Sequence, residues 1–227
     1  SIVLMGTPAE QAIMRPAGLL IVSEIRDATA WAIKPVLSSS GGNSPITLAL
    51  GGGSALVGEA YTLDIASDGV KLTAGTYAGM VAATATLVQA VEMAGDYDAV
   101  PTTPQNCTTA PVWRLPVMEV SDSPALPYRG LMVDAARAYL PPVSLKALVM
   151  LCRMYKLNYL HIHMTDTGAF TFPSTAYPAL SAKSSIKYNL TELHDVQTFA
   201  AARGVTILAE VDVPGTQLPS RPRSCLA

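Results

Sequence analysis

The sequence has 227 residues, of which 50% are apolar and 14% charged, a composition typical of a folded protein with a substantial core. With 15 Lys and Arg against 17 Asp and Glu, it lacks the basic surplus of proteins that bind nucleic acid. Apolar runs such as LKALVMLCRMYKL contain charges well before the roughly 20 residues of a membrane span, so no membrane span is predicted.

Residues 1–100 are predicted to form a small α+β domain. The runs GLLIVSEI (18–25) and SPITLALGGG (44–53) are interpreted as strands, and AWAIKPVL (30–37) between them as a short helix. Alternating runs on either side of Ser67-Asp68-Gly69 predict a hairpin. A helix is then expected over 76–95, ending at Gly95, because these apolar residues have helical spacing: Met80, Ala83, Leu87, Val91 and Ala94.

No cofactor is predicted. The triple glycine at 51–53 lacks the spacing of GxGxxG and the Lys-Ser/Thr of a P-loop, so it does not indicate a nucleotide site. Cys107, Cys152 and Cys225 are too few and too scattered for a disulfide framework or a cysteine-based zinc site.

Residues 101–127 are rich in proline and are interpreted as a linker that contains one strand at about 112–120. Residues 128–227 then alternate between strand and helix. The alternation predicts parallel strands with right-handed crossovers, the first helix being capped by Ser144 and the second ending at Gly204. The predicted elements are GLMVDAA (130–136), SLKALVMLCRMYKL (144–157), NYLHIHMTD (158–166), LHDVQTFAAARGV (193–205) and TILAEVDV (206–213).

Polar residues follow or end each of the three predicted parallel strands. Active sites of α/β proteins assemble at the carboxyl edge of such strands, in open sheets and in barrels alike. The residues at this edge are Asp134 and Arg137 on the first strand, His163, Thr165 and Asp166 on the second, and Glu210 and Asp212 on the third.

Other interpretations of these residues stay open at this point. Asp134 and Arg137 could each be structural, and His161 and His163, on one face of a strand, could be core residues or zinc ligands. An Arg fork beside an Asp suits the vicinal hydroxyls of a sugar better than a metal, because the Asp accepts and the Arg donates. A polyol substrate and no metal are therefore predicted.

The segment YRGLMVDAARAYLPPVSLKALVMLCRMYKLNYLHIHMTD (128–166) resembles the opening of the catalytic barrel of glycoside hydrolase family 20, the β-N-acetylhexosaminidases. The matching motifs are Arg129-Gly130, Asp134 to Arg137, Lys156-Leu157-Asn158 and His161 to Asp166. The preceding segment 59–91 is similar to the α+β domain that precedes that barrel. The resemblance implies an α/β fold in which the small domain is followed by about three strands of an incomplete (β/α)8 TIM barrel.

The resemblance also implies roles for individual residues. Arg137 would bind the outer hydroxyls of a terminal sugar and Asp166 would support that pocket, with Asp134, His163 and Asp212 beside them. Thr216 stands where the family has the His of a PGH motif, and Thr167 where a second acidic residue is common. In this family the nucleophile is the acetamido oxygen of the substrate, assisted by an Asp-Glu pair on the fourth barrel strand.

The expected function is that of a β-N-acetylhexosaminidase-like hydrolase acting on terminal N-acetylglucosamine or N-acetylgalactosamine. The 227 residues end before a fourth strand, so no catalytic residue is assigned, and another polypeptide is expected to complete or cover the open barrel. The alternative is a non-catalytic structural or glycan-binding subunit of a larger assembly.

Two N-x-T triplets begin at Asn106 and Asn189 and are candidate glycosylation sites. The N-terminus shows no signal peptide. The expected location is nevertheless the secretory pathway, a lysosome or the exterior of the cell, where glycosylation of these acceptors would apply.

Overall fold

The computed structural model describes residues 1–29, 37–38, 45–94, 112–166, 168–182, 184 and 186–212. The chain divides into two compact units, Ser1–Pro127 and Tyr128–Ala227, and each has its own sheet and its own apolar core. None of the helices in the described ranges has the length and apolar character that crossing a bilayer requires.

The first unit opens with strand β1 (Ile2–Leu4) and the long helix α1 (Pro8–Ala28). Thr7 starts α1, because its N–H donates to Glu10 Oε2 at 2.7 Å while its hydroxyl accepts from Glu10 N–H at 3.4 Å. The strand predicted over 18–25 is wrong, since this run lies inside α1. Its β-branched residues favour a strand locally, but they continue a buried helical stripe that starts upstream: Met14, Ala17, Ile21 and Ile25.

The remaining strands of this unit are β2 (Leu37–Ser38), β3 (Ile46–Leu50), β4 (Tyr61–Ala66), β5 (Gly69–Ala74), β6 (Glu92–Ala94), β7 (Val112–Arg114) and β8 (Met118–Asp122). Among the described residues a sheet of six strands has the order β2-β1-β3-β5-β4-β8. The predicted hairpin is confirmed, because β4 and β5 pair antiparallel around the turn at Ser67-Asp68. Residues 30–36 of the predicted short helix lie outside the described residues, and Leu37 belongs to β2.

Helix α2 (Tyr77–Gln89) packs with α1 against this sheet. Thr76 caps it by accepting a hydrogen bond from Gly79 N–H at 3.1 Å. The helix is shorter than predicted, because Glu92–Ala94 forms β6, which pairs antiparallel with β7. Helical spacing continues locally through Val91 and Ala94, but pairing with a distant strand overrides it; Gly95 lies outside the described residues.

The segment predicted as a linker with one strand instead contains two strands, β7 and β8. Pro116 lies between them and has no backbone N–H to donate to a sheet ladder, which separates the two pairings. Strand β8 pairs antiparallel with β4 and so belongs to the sheet of the first unit.

The second unit contains β9 (Gly130–Asp134), α3 (Pro142–Met154), β10 (Tyr159–His163), α4 (Pro178–Ala182), α5 (Leu190–Ala201) and β11 (Thr206–Glu210). The described strands form a parallel sheet in the order β11-β10-β9, which confirms the predicted β/α alternation. Helices α3 and α5 pack together over one face, where Leu160 and Ile162 of β10 are buried. This arrangement is consistent with the predicted partial TIM barrel.

The ends of the two long helices of this unit differ in part from the prediction. Ser144 is not the cap of α3; the helix begins at Pro142, whose fixed φ and missing N–H suit a first turn. Helix α5 is capped by Asn189, which accepts from Glu192 N–H while Glu192 accepts from Asn189 N–H, each at 2.8 Å. After α5 the chain turns at Gly204, whose φ of 70° lies in the left-handed region that glycine tolerates.

Candidate functional site

The register of the parallel sheet aligns three polar side chains at the carboxyl ends of the strands. His163 of β10 is paired with Asp134 of β9 on one side and with Glu210 of β11 on the other. Because side chains alternate along a strand, these three lie on the face opposite to Leu160 and Ile162. The face opposite to α3 and α5 therefore carries a row of ionisable groups at the edge where α/β proteins place their sites.

Arg137 follows β9 and is held between two carboxylates. Its Nη1 donates to Asp134 Oδ2 at 2.7 Å, and its Nη2 lies 2.5 Å from Asp166 Oδ2. Asp134 also accepts from the backbone N–H groups of Ala136 and Arg137, at 3.0 and 2.9 Å. The guanidinium side chain remains 61% exposed, so a fork anchored at two points still presents N–H groups to solvent.

His163 connects this fork to the third strand. Its Nε2 lies 3.1 Å from Asp166 Oδ2, and its Nδ1 lies 2.9 Å from Glu210 Oε1. The His163 and Asp166 side chains are both buried. One buried imidazole thus joins the carboxylate that holds Arg137 to a carboxylate on β11.

His161 reaches the same carboxylate from one position further back on its face of β10. Its Nε2 lies 2.5 Å from Glu210 Oε2, so Glu210 contacts a different imidazole with each oxygen. The chain of contacts runs from His161 through Glu210, His163 and Asp166 to Arg137. With Asp134, which Arg137 also contacts, six side chains at three strand ends form one connected polar network.

Asp212 lies two residues after the end of β11, and its backbone is fixed by Thr165. The Asp212 N–H donates to the Thr165 hydroxyl at 2.8 Å. Thr165 is buried and forms a β-bridge with Phe170 within the loop after β10. The hydrogen bond from Asp212 therefore ties this loop to the segment after β11. This contact brings the Asp212 carboxylate close to His163 and Glu210.

The network shifts the pKa values of His163, Glu210 and Asp134 towards their charged forms. Burial alone would lower the pKa of His163, but the hydrogen bonds with Asp166 and Glu210 outweigh it and raise that pKa. The hydrogen bond from His163 lowers the pKa of Glu210; burial opposes this shift, and the hydrogen bond from His161 lowers the pKa further. Burial would also raise the pKa of Asp134, but the hydrogen bonds from Arg137 and Ala136 outweigh it and lower that pKa.

Two overlapping triads at this site bring potential ligand atoms within 4.8 Å of one another: Asp134, His163 and Asp166, and His163, Glu210 and Asp212. In the first triad the Arg137 guanidinium already provides the cation between the two carboxylates. In the second, His163 and Glu210 are hydrogen-bonded to each other. The arrangement fits a protein-internal charge network better than an open metal site.

The structure brings together the sequence-predicted residues Asp134, Arg137, His163, Asp166 and Asp212. Their individual roles stay predictions. Thr216, Thr167 and Asn106 lie outside the described residues, while Asn189 is exposed at the start of α5.

Two family profiles match the chain: one lies within the first unit, and the other begins two residues before the second unit and covers most of it. The profile described as "Glycosyl hydrolase family 20, domain 2" matches residues 18–123, and "Glycosyl hydrolase family 20, catalytic domain" matches residues 126–218. The chain belongs to glycoside hydrolase family 20. The recognition made from the motifs of residues 128–166 is therefore confirmed.

Curated relatives of this family 20 chain carry the names of hexosaminidases. The β-hexosaminidase of Akkermansia muciniphila is 32% identical over 171 residues, which are 69% of this chain and 32% of the relative. The β-N-acetylhexosaminidase of Cellulomonas fimi is 34% identical over 166 residues, 69% of this chain and 31% of the relative. The chain thus spans about a third of the length of these relatives.

Solved structures show the same fold for the family 20 chain. A family 20 β-N-acetylhexosaminidase from Streptomyces coelicolor aligns with a TM-score of 0.77 at 24% identity, covering 95% of this chain and 42% of that one. An exo-β-N-acetylglucosaminidase from Vibrio harveyi, solved in complex with N-acetylglucosamine, aligns with a TM-score of 0.73 at 24% identity, covering 95% and 33%. At these identities the likeness concerns the fold.

Sequence reasoning placed Glu210 and Thr165 at the strand edge but gave neither a role in the family 20 site. The position of Glu210 can be predicted from the alternation of side chains along a strand. Glu210 lies two residues before Asp212 and therefore shares the polar face of β11. Its contacts with two histidines depend on strand register, which the sequence did not supply. The contact of Thr165 depends on a backbone N–H across the sheet edge, for which the sequence carries no signal.

Proposed function

We propose that this chain forms the outer-hydroxyl recognition part of a β-N-acetylhexosaminidase-like hydrolase, which acts on terminal N-acetylglucosamine or N-acetylgalactosamine in glycans. The observation that carries the proposal is the Arg137 fork, fixed by Asp134 and Asp166 and yet 61% exposed at the carboxyl edge of the sheet. The names of the curated relatives support this substrate class.

The fork suits sugar hydroxyls for a geometric reason. A guanidinium offers five N–H donors in one plane, and the contacts with Asp134 and Asp166 fix the direction of that plane. Two neighbouring hydroxyl oxygens can then accept from N–H groups whose orientation is set before the sugar arrives. A preorganised donor loses little conformational entropy on binding, which favours affinity.

Cleavage requires chemistry beyond the contacts described above. The family resemblance implies that the acetamido oxygen of the sugar attacks the anomeric carbon, oriented by an Asp and followed by proton donation from a Glu to the leaving oxygen. Neither residue of that fourth-strand pair has a counterpart among residues 1–227. We therefore expect binding from these residues and hydrolysis when the remaining barrel portion is supplied, by the same polypeptide or by another.

The second candidate is a non-catalytic glycan-binding or structural subunit. It is favoured by Thr216, because Thr lacks the protonatable ring of the His that the family has there. For either candidate function, we propose that the protein is located in the secretory pathway, in a lysosome or outside the cell.

The experiment is an assay on a chromogenic N-acetylglucosaminide, with residues 1–227 alone and with any copurifying polypeptide or longer form. We expect no turnover from the isolated residues and turnover that Arg137→Ala abolishes once the barrel is complete. Turnover by residues 1–227 alone would show that the chemistry lies within them. Inactivity of every completed form, combined with retained glycan binding, would favour the second candidate.

A further inference from the structure

Glu210 occupies the middle of the polar network but makes none of the contacts proposed for the sugar. Its Oε1 lies 2.9 Å from Nδ1 of His163, and its Oε2 lies 2.5 Å from Nε2 of His161. The carboxylate therefore spans two imidazoles that stand two residues apart on the neighbouring strand. A shorter or differently aligned side chain on β11 would lose at least one of these contacts.

The contacts of His163 determine which of its nitrogens carry protons. An ionised carboxylate accepts hydrogen bonds and cannot donate, so Nδ1 beside Glu210 carries a proton. Nε2 faces Asp166 Oδ2, which is also 2.5 Å from the Arg137 guanidinium, so this nitrogen carries a proton as well. His163 is thus an imidazolium between two carboxylates, in agreement with its raised pKa.

The geometry points to Glu210 as a positioning residue that acts through His163 on Asp166 and thereby sets the orientation of the Arg137 fork. This inference rests on the proposed function, because the orientation of the fork affects activity only where the fork binds a sugar. The step that links Glu210 to the fork is the proton on Nε2 of His163.

Loss of that proton would change the contact with Asp166. A neutral His163 that keeps its Nδ1 proton for Glu210 turns the lone pair of Nε2 towards Oδ2 of Asp166, and two acceptors then repel. Asp166 would rotate, leaving Arg137 with Asp134 as its described anchor. The charged or titratable groups facing His163 on this surface are Asp134, Arg137, His161, Asp166, Glu210 and Asp212.

The first test needs no substitution and no ligand. Nitrogen-15 NMR of the imidazoles in the folded protein distinguishes an imidazolium from each neutral tautomer. We expect His163 to carry its Nδ1 proton throughout the neutral range and to titrate above the ordinary histidine value of about 6.5. A bare Nδ1 at neutral pH would overturn the proposal, whether or not any variant folds.

The second test compares Glu210→Gln with Asp195→Asn, which makes the same change of charge at an exposed ion pair with Lys146. Binding of N-acetylglucosamine is measured by calorimetry across the neutral pH range. We expect Glu210→Gln to weaken binding about tenfold, the effect of losing one charge-assisted hydrogen bond. The loss should grow as pH rises, because His163 then deprotonates at lower pH, and Asp195→Asn should match the wild type.

The two measurements separate this inference from the proposed function. If the wild type does not bind N-acetylglucosamine but Glu210→Gln moves the His163 titration to lower pH, the function fails and the coupling stands. If the wild type binds and Glu210→Gln has the same affinity and pH profile, the positioning role is overturned.

Discussion

Nη2 of Arg137 lies 2.5 Å from Oδ2 of Asp166, and this contact joins a 61% exposed side chain to one that is 2% exposed. Asp166 also contacts the buried His163, so the exposed guanidinium is held by a buried framework. An exposed guanidinium supported in this way keeps its orientation without a ligand.

Asp166→Asn should destabilise the second unit. The substitution keeps the shape but removes the charge that faces both Arg137 and His163, and lost charge-assisted hydrogen bonds cost about 2 kcal/mol. Asp195→Asn, at an exposed pair, should stay within about 0.5 kcal/mol of the wild type. Urea unfolding measures both, and equal stabilities for the two variants would contradict the framework.

The stability of the folded protein should fall on both sides of a maximum between about pH 5 and 6.5. Because folding raises the pKa of His163, its contribution is complete below the unfolded value and is lost as pH rises through the folded pKa. Because folding lowers the pKa of Asp134 and Glu210, their contribution is lost as pH falls through their folded values. Denaturant unfolding at a series of pH values measures this profile.

His163→Asn identifies the alkaline part of that profile. The variant has no group that titrates at this position, so the fall of stability above about pH 6.5 should flatten while the acid limb remains. An unchanged alkaline limb would show that another group causes it.

The core beneath the site can be tested with one substitution at two positions of α3. Val149 is 0% exposed and Val143 is 71% exposed. Val149→Ala should cost about 2 kcal/mol through lost burial and a residual cavity, and Val143→Ala should cost less than about 0.5 kcal/mol. Similar losses at the two positions, measured by thermal unfolding, would contradict the packing of α3 on the sheet.

Asn189 should carry a glycan when the protein is made in a secretory host. Its Oδ1 accepts from Glu192 N–H at 2.8 Å and the residue is exposed, so the capping bond uses the amide oxygen and not the nitrogen that takes a glycan. Intact mass spectrometry should show that Thr191→Ala removes the mass of one glycan. Absence of glycan on Asn189 in such a host would refute the prediction.

Two further variants separate the glycan from the helix cap. Asn189→Asp removes the nitrogen that accepts a glycan but keeps an oxygen that can cap the helix. Asn189→Ala removes both and should lower the free energy of unfolding by about 1 kcal/mol more. Equal stability of these variants would show that the cap of α5 contributes little.

The second unit was predicted from sequence more accurately than the first because its signals are local. Each β/α segment of residues 128–212 has an apolar run followed by turn residues, and the structure places β9, β10 and β11 where those runs stand. In the first unit, residues 18–25 form part of α1, whose start is set by a cap at Thr7. A window confined to the apolar run did not include that cap.

The sequence predicted which residues lie at the candidate site, but not which side chains contact one another there. Strand ends and alternation identified Asp134, His163 and Asp166, because both features follow from the sequence. The contact of Glu210 with His161 and His163 needs the register of β10 against β11, in which His163 is opposite Glu210. Register is a tertiary property, so these contacts of Glu210 emerged with the structure.

The most direct test of the sugar-binding account is the affinity of Arg137→Lys for N-acetylglucosamine, measured by calorimetry beside Arg114→Lys. Both substitutions keep a positive charge, but Arg114 is an exposed partner of Glu92 in the first unit. A lysine at 137 cannot contact Asp134 and Asp166 while presenting a planar fork, so we expect a loss of about tenfold or more. Arg114→Lys should bind as the wild type does, and wild-type affinity in Arg137→Lys would contradict the account.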